Sequence, residues 1–328
     1  MNHREWIIMT VSAEPQLDFL LVAPSEAGQR IDKMLADRYP AFSRTYFQKL
    51  IEEGFVLLND QPIKKRFAPE VGDEIEVCFQ LTPEINLAPE AIPLDIIFED
   101  EHLIGINKPA GMVVHPAPGH WNGTFVNALL AHCQNLAPGL DPLRPGIVHR
   151  LDKNTSGVLI AAKTAQTHQK LVQMFSSRQM EKSYLAICVG KPPNTTIAAP
   201  IGRHPTQRKE MTVVSERGKE AISQIHVLAF NHQFSLVLIR PKTGRTHQIR
   251  VHLKHIGHPV LGDTTYGSEK INASQEVERQ LLHAYQLNFT HPITNVPISL
   301  VASIPDDFKK WIYQISDSSI LGEPFSLE

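Results

Sequence analysis

Apolar positions along the chain recur with two periods, and the switches between them outline two domains. Leu17-Asp18-Phe19-Leu20-Leu21-Val22 reads as a strand. Ile31, Met34 and Leu35 then share one face of a helix, and Phe47, Leu50 and Ile51 share one face of a second, with Ser43 as its cap and Gly54 at its end. Val56-Leu57-Leu58, a turn at Asn59-Asp60 and the run Val71 to Val77 add strands. From Leu81 to Pro93 no period survives and Pro83, Pro89 and Pro93 accumulate, which predicts a linker. Beyond it, strands alternate irregularly with few helices from Leu94 to Pro305, the pattern of an α+β domain on a mixed or antiparallel sheet. The expected division is an extension over 1–16, a small domain over 17–80, the linker over 81–93, a large domain over 94–315 and a tail over 316–328.

Within the large domain, Val158-Leu159-Ile160-Ala161-Ala162 reads as a buried strand, and Lys182 to Val189 as another that opens on a basic residue and a phenol, Tyr184. Leu171, Val172 and Phe175 predict an ordinary amphipathic helix packed on the sheet. Ile249, Leu253 and Ile256 predict the buried face of a further helix, leaving His247, Arg250 and Lys254 on another face, with Gly244 at its start and Thr246 as its cap.

Chemistry concentrates in His149-Arg150-Leu151-Asp152-Lys153-Asn154-Thr155-Ser156-Gly157, where one carboxylate stands between two cations in a polar turn expected to join two buried strands. On these nine residues alone, an Asp bonded to its own turn is as good an account as a reactive one. The second concentration is Arg240, Lys242, Arg245, Arg250 and Lys254, a stretch to Gly262 without an acidic residue. It makes a phosphate-attracting surface in a chain whose net charge is −2, so any nucleic-acid surface must be local.

At 328 residues and 42% hydrophobic, the chain can bury a large core. Cys78, Cys133 and Cys188 lie far apart without metal-like spacing and read as reduced thiols of a cytoplasmic protein. No apolar run reaches membrane-spanning length, and Met1 to Gln16 lacks a signal-peptide core. Nucleotide-binding glycine fingerprints and a helical His-Glu-x-x-His are absent. His252, His255 and His258 step by three, but the third is rotated well away from the first, which argues against a metal site. Neither metal nor cofactor is expected.

In order, His-Arg-Leu-Asp, Lys182-Ser183-Tyr184 and Gly244-Arg245-Thr246-His247-Gln248-Ile249-Arg250 resemble the motifs of the RluA-type pseudouridine synthases. The resemblance covers about residues 92–310, with Ile106 to Pro116 and Gly257 to Gly267 inside it. Arg144 to Val148, Val113 to Pro116 and Pro200 to Pro205 resemble the ribosomal large-subunit synthase D branch of that family. The ordering of the small domain resembles the alpha-L RNA-binding domain of a small-subunit ribosomal protein, which implies that Arg30, Lys33, Arg44, Lys49, Lys64, Lys65 and Arg66 contact phosphate.

The resemblance implies the pseudouridine-synthase fold and an isomerase that turns uridine into pseudouridine, with Asp152 as the catalytic carboxylate, either nucleophile or stabiliser of the detached sugar. It further implies that Arg250 offsets the cost of burying that charge, and that Tyr184 stacks on uracil and moves a proton. Arg150 would fill the gap left by the flipped uridine, and Arg245 and His247 would touch RNA. Lys108 and His149 are weaker candidates, for which a structural role is the readier account. Leu281-Leu282-His283-Ala284 resembles a family segment lining the cleft, though its leucines fit plain core as well.

The expected partner is RNA, with large-subunit rRNA favoured over tRNA or other rRNA sites, and the expected state is a monomer. A non-catalytic RNA-binding or assembly factor is the rival class, and the presence of Asp152, Tyr184 and Arg250 together discriminates against it. A nucleotide hydrolase using Asp152 lacks a phosphate loop or metal cluster.

Overall fold

A computed structural model describes residues 16–39, 42, 44–64, 66–79, 87–116, 120, 122–133, 136, 144–207, 210–215 and 218–316. The extension before Gln16, the Ser43 cap, Lys65, the linker as far as Asn86 and the tail beyond Ser316 lie outside the described residues. The chain divides into two units, Met1–Asn86 and Leu87–Glu328.

The first unit runs β1 (Gln16–Leu21), α1 (Ile31–Arg38), α2 (Arg44–Glu52), β2 (Val56–Leu58), β3 (Gln61–Pro62) and β4 (Glu74–Phe79). Its sheet has the order β1-β4-β2-β3. Ile31, Met34 and Leu35 of α1 and Phe47, Leu50 and Ile51 of α2 form the core with Ile75 and Val77, as the helical spacing predicts. Asn59 and Asp60 both take positive φ, 48° and 61°, the left-handed pair that a two-residue hairpin requires.

Pattern did not show what Asp32 does. It is buried on α1, accepts hydrogen bonds from Arg30, Arg44 and Gln48, and burial opposes its charge while the two guanidiniums hold its pKa down at about 2. Two of the seven expected phosphate-contacting cations are therefore tied to an internal carboxylate. Lys33 and Lys49 pair with Asp37 and Glu53 one turn on, whereas Lys64 and Arg66 are exposed with no ion pair among the described residues.

The second unit carries β5 (Ile96–Glu99), β6 (Leu103–Lys108), α3 (Phe125–His132), β7 (Ser156–Ala162), α4 (Ala165–Ser176), β8 (Glu181–Val189), β9 (Thr195–Ala198), β10 (Ile201–Arg203), β11 (Met211–Val213), β12 (Ile222–Phe230), β13 (Phe234–Pro241), α5 (Gln248–His255), α6 (Glu269–Ser274), β14 (Leu282–Thr290), β15 (Pro297–Val301) and α7 (Asp306–Ile315). Its main sheet is ordered β5-β6-β7-β14-β8-β13-β12-β9, with β15 on β14 and a β10-β11 pair standing apart. Only β7 and β14 among its pairings run parallel, so the sheet is mixed and the fold α+β. Every residue of β7 is buried, as a continuous apolar run at the middle of a covered sheet should be.

Three local expectations are corrected. Pro145 to Val148 is not a strand: Gly146 adopts φ +71° and the segment makes only the isolated bridge Ile147–Ala161, so Asp152 follows an irregular segment and precedes a strand. Val172 of α4 is exposed, because Thr167, His168 and Leu171 supply the face that packs inward. Finally, α5 is buried on every side over Gln248–Leu253 rather than on one face. Ile249 and Leu253 pack against β8, β12 and β13, while Val251 packs on Ile201 and Tyr266 opposite.

Candidate active site

Backbone register brings the three motifs together. Gly157 on β7 pairs with Ala284 on β14, Ala284 with Tyr184 on β8, and Tyr184 with Ile239 on β13, one row across four strands. Asp152 lies five residues before the first member of that row. Gly157 is required there, since its φ is +111° and a Cβ would run into the carbonyl of Ala284.

The loop that carries Asp152 is held from outside. The ammonium of Lys108, wholly buried, donates to the carbonyls of Pro109, Met112 and Lys153 at 2.8, 3.0 and 3.1 Å, and burial draws its pKa down to about 7 against the opposing charge of Asp152. Gly111 donates to the same Lys153 carbonyl and Arg279 donates to that of Asn154. Leu151 is buried in the core, Arg150 is exposed, and Asp152 is left facing a cleft. Lys108 thus positions the loop. His149 is also structural in its contacts: its Nε2 accepts from the Ile160 N–H at 3.0 Å, its ring stacks on Phe175, and burial holds it neutral with a pKa of about 3.

Asp152 Oδ2 accepts from Arg250 Nη1 at 2.9 Å. The other edge of the same guanidinium is clamped by Asp263, Nε to Oδ2 at 2.7 Å and Nη2 to Oδ1 at 2.9 Å. Side-chain exposures of 19% for Asp152, 6% for Arg250 and 0% for Asp263 show that this chain of charges opens to water only at the Asp152 end. Burial works against the charge on Arg250, but Asp263 and then Asp152 hold its pKa above the ordinary range, and the Arg250 partnership holds Asp263 below its own. The guanidinium also lies over the Tyr266 ring, 5.0 Å from its centroid.

His247 takes a left-handed conformation at the start of α5, with Nε2 at 3.8 Å from Asp152 Oδ1 and Nδ1 bonded to the Tyr266 hydroxyl at 2.8 Å. Burial lowers its pKa, with Asp152 opposing. The expected Thr246 cap is not made. Gln248 organises the turn instead, its amide oxygen accepting from Thr243 Oγ1 and the Arg245 N–H while its nitrogen donates to Ile222 and Ser223. Arg245 Nε donates to the Glu220 carbonyl.

Tyr184 lines the same cleft, and its pKa is pushed well above the ordinary phenol range by burial and then by the charge of Asp152. The raised pKa favours the protonated hydroxyl, which can donate. The cleft has a volume of about 450 Å³ and is lined, among the described residues, by Asp152 as its one carboxylate and by six cations, Arg150, Arg178, Lys182, Lys242, Arg245 and Arg250. That charge balance admits an anionic polymer, and the volume suits one nucleoside. Leu282 reaches the lining and Leu281 is plain core.

Asp152, Tyr184, Arg250, Arg150, Arg245 and His247 are thus brought to one cleft, while Arg30, Lys33, Arg44, Lys49, Lys64 and Arg66 all belong to the first unit. Sequence reasoning missed Asp263, Gln248 and Tyr266. For Asp263 a signal existed, since it is the first acid after a cation-only stretch that begins at Arg240.

An RNA pseudouridylate synthase family model matches residues 102–255, and an S4 domain model matches residues 29–75. The chain is 40% identical over 299 residues to an uncharacterized RNA pseudouridine synthase of Bacillus subtilis (strain 168), covering 90% of this chain and 97% of the relative. It is 41% identical over 313 residues to the ribosomal large subunit pseudouridine synthase D of Xylella fastidiosa (strain Temecula1), covering 92% and 93%. Among solved structures, human RNA pseudouridylate synthase domain containing 1 superposes with a TM-score of 0.54 at 27% identity, over 67% of this chain and 86% of the human one.

Proposed function

The chain belongs to the RNA pseudouridylate synthase family and is an RNA pseudouridine synthase, and from that premise we propose that Asp152 is its catalytic carboxylate and large-subunit rRNA its substrate. The observation that carries the first part is a single carboxylate in a cleft of cations, bonded at 2.9 Å to a guanidinium that is itself fixed by a buried acid. The relatives named as large-subunit synthases support the second.

The isomerisation breaks the bond between ribose C1′ and uracil N1, turns the base, joins C1′ to C5, and exchanges the C5 proton for one on N1. Atoms balance without an oxidant or an energy source. Asp152 supplies negative charge at the sugar as the glycosidic bond opens, and the hydrogen bond from Arg250 aims the carboxylate. Tyr184 offers a ring to stack on the flipped base and a protonated hydroxyl to donate. Arg150, exposed at the rim, is free to enter the RNA stack that the uridine vacates.

Mapping pseudouridines in total RNA from cells with and without the protein tests the substrate. Sites confined to large-subunit rRNA are expected; sites lost only from tRNA would contradict the rRNA assignment.

A further inference from the structure

Lys182 stands out among the cations of the cleft because no described residue accepts a hydrogen bond from it or pairs with its charge. Arg250 is taken by Asp152 and Asp263, Arg178 by Glu220, and Arg245 by the Glu220 carbonyl. Arg150 and Lys242 are exposed. Lys182 is half-buried on β8 and its ammonium has no acceptor among the described residues. Burial lowers its pKa, as it must for a charge removed from water without compensation. A lysine kept in such a place for packing alone would be better replaced by an apolar side chain of the same length.

Its placement is specific. Two residues before Tyr184, it projects from the same face of β8, about 6.6 Å along the strand. The backbone at Gly244 passes over it, so closely that a Cβ there would lie 3.8 Å from the ammonium. Val172 and Phe175 are among the apolar residues that line the same cleft. We propose that Lys182 binds a phosphodiester of the RNA beside the flipped uridine, so that Tyr184 receives the base while its neighbour on the strand fixes the backbone. A phosphate is the fitting ligand because it brings the negative charge and acceptor oxygens that Lys182 lacks, whereas a base edge brings no charge.

The inference rests on the Asp152 cleft being the reactive site, and one experiment separates the two. Full-length wild type, Lys182→Met, Lys182→Arg and Asp152→Asn are compared by thermal melting and by pseudouridine formation in total RNA from cells lacking the protein, across RNA and salt concentrations. With Lys182→Met we expect the half-saturating RNA concentration to rise roughly tenfold, the rate at saturation to stay close to wild type, and the salt slope of log affinity to become shallower by about 0.7–0.9. Lys182→Arg should retain the wild-type slope. A Lys182→Met enzyme with an unchanged salt slope, or with its loss confined to the saturating rate, would overturn the phosphate assignment. Product from Asp152→Asn would instead overturn the catalytic reading while leaving the Lys182 comparison intact.

Discussion

Arg250 meets Asp152 through one nitrogen only, Nη1 at 2.9 Å from Oδ2, and spends the rest of its fork on Asp263. The second oxygen of Asp152 is left to the cleft, with His247 Nε2 no nearer than 3.8 Å. The carboxylate is thereby oriented without being saturated, which a group meant to meet a substrate requires.

Asp263→Asn should therefore damage both fold and activity although Asp263 touches no substrate. It leaves a buried guanidinium half-paired and weakens the turn that its Oδ1 makes with the N–H groups of Thr265 and Tyr266. A stability loss of about 3 kcal/mol is expected from breaking a buried pair, read as a lowered denaturant midpoint at unchanged slope. A fully stable Asp263→Asn would show that Asp152 alone suffices to hold Arg250.

Tyr184→Phe should keep most RNA affinity and lose most of the single-turnover rate, since stacking survives and the donor does not. Its raised pKa fixes the sign of a pH effect. The folded protein keeps the phenolic proton where an unfolded chain releases it, so this group's contribution to stability is complete below about pH 10 and declines above it. Wild type should accordingly lose stability more steeply than Tyr184→Phe above that pH. Equal alkaline melting curves would show that Tyr184 is not shielded from water.

Much of this arrangement could be read before any coordinates. Periodicity located α1, α2 and β7 because their buried residues follow local rules. The resemblance of the three motifs to those of the RluA-type synthases implied that Asp152, Tyr184 and Arg250 would meet. What sequence left hidden depends on pairing across distance. Arg250 looked like the outer face of an amphipathic helix because periodicity cannot see that Asp152 reaches it from a distant loop, nor that Asp263 waits thirteen residues later. Likewise, Arg30 and Arg44 read as free cations until α1 and α2 packed and brought both to Asp32.

Gly157→Ala tests the row that joins the motifs. The new methyl would collide with the Ala284 carbonyl and hold a φ that L residues avoid, so a loss of about 3 kcal/mol or more is expected, with activity falling in parallel. Wild-type stability in this variant would mean that β7 and β14 can part at that point without consequence.

For the first unit, Lys64 and Arg66 are the cations without internal partners among the described residues. Replacing both by Gln in the full chain should weaken RNA binding and lower the salt slope by about 1.4–1.8. The same change at Arg30 and Arg44 should mainly destabilise the unit, because Asp32 would lose the charges that keep it ionised. If all four behaved alike in the salt titration, the distinction drawn from the Asp32 pairing would be wrong.

The most direct test of the account is pseudouridine formation by Asp152→Asn. Arg250 remains neutralised by Asp263 in that variant, so the protein should fold, melt near wild type and bind RNA. Lacking the negative charge at the sugar, it should make no detectable pseudouridine. Measurable turnover, with deamidation back to Asp excluded by mass, would contradict the assignment of Asp152 as the catalytic carboxylate.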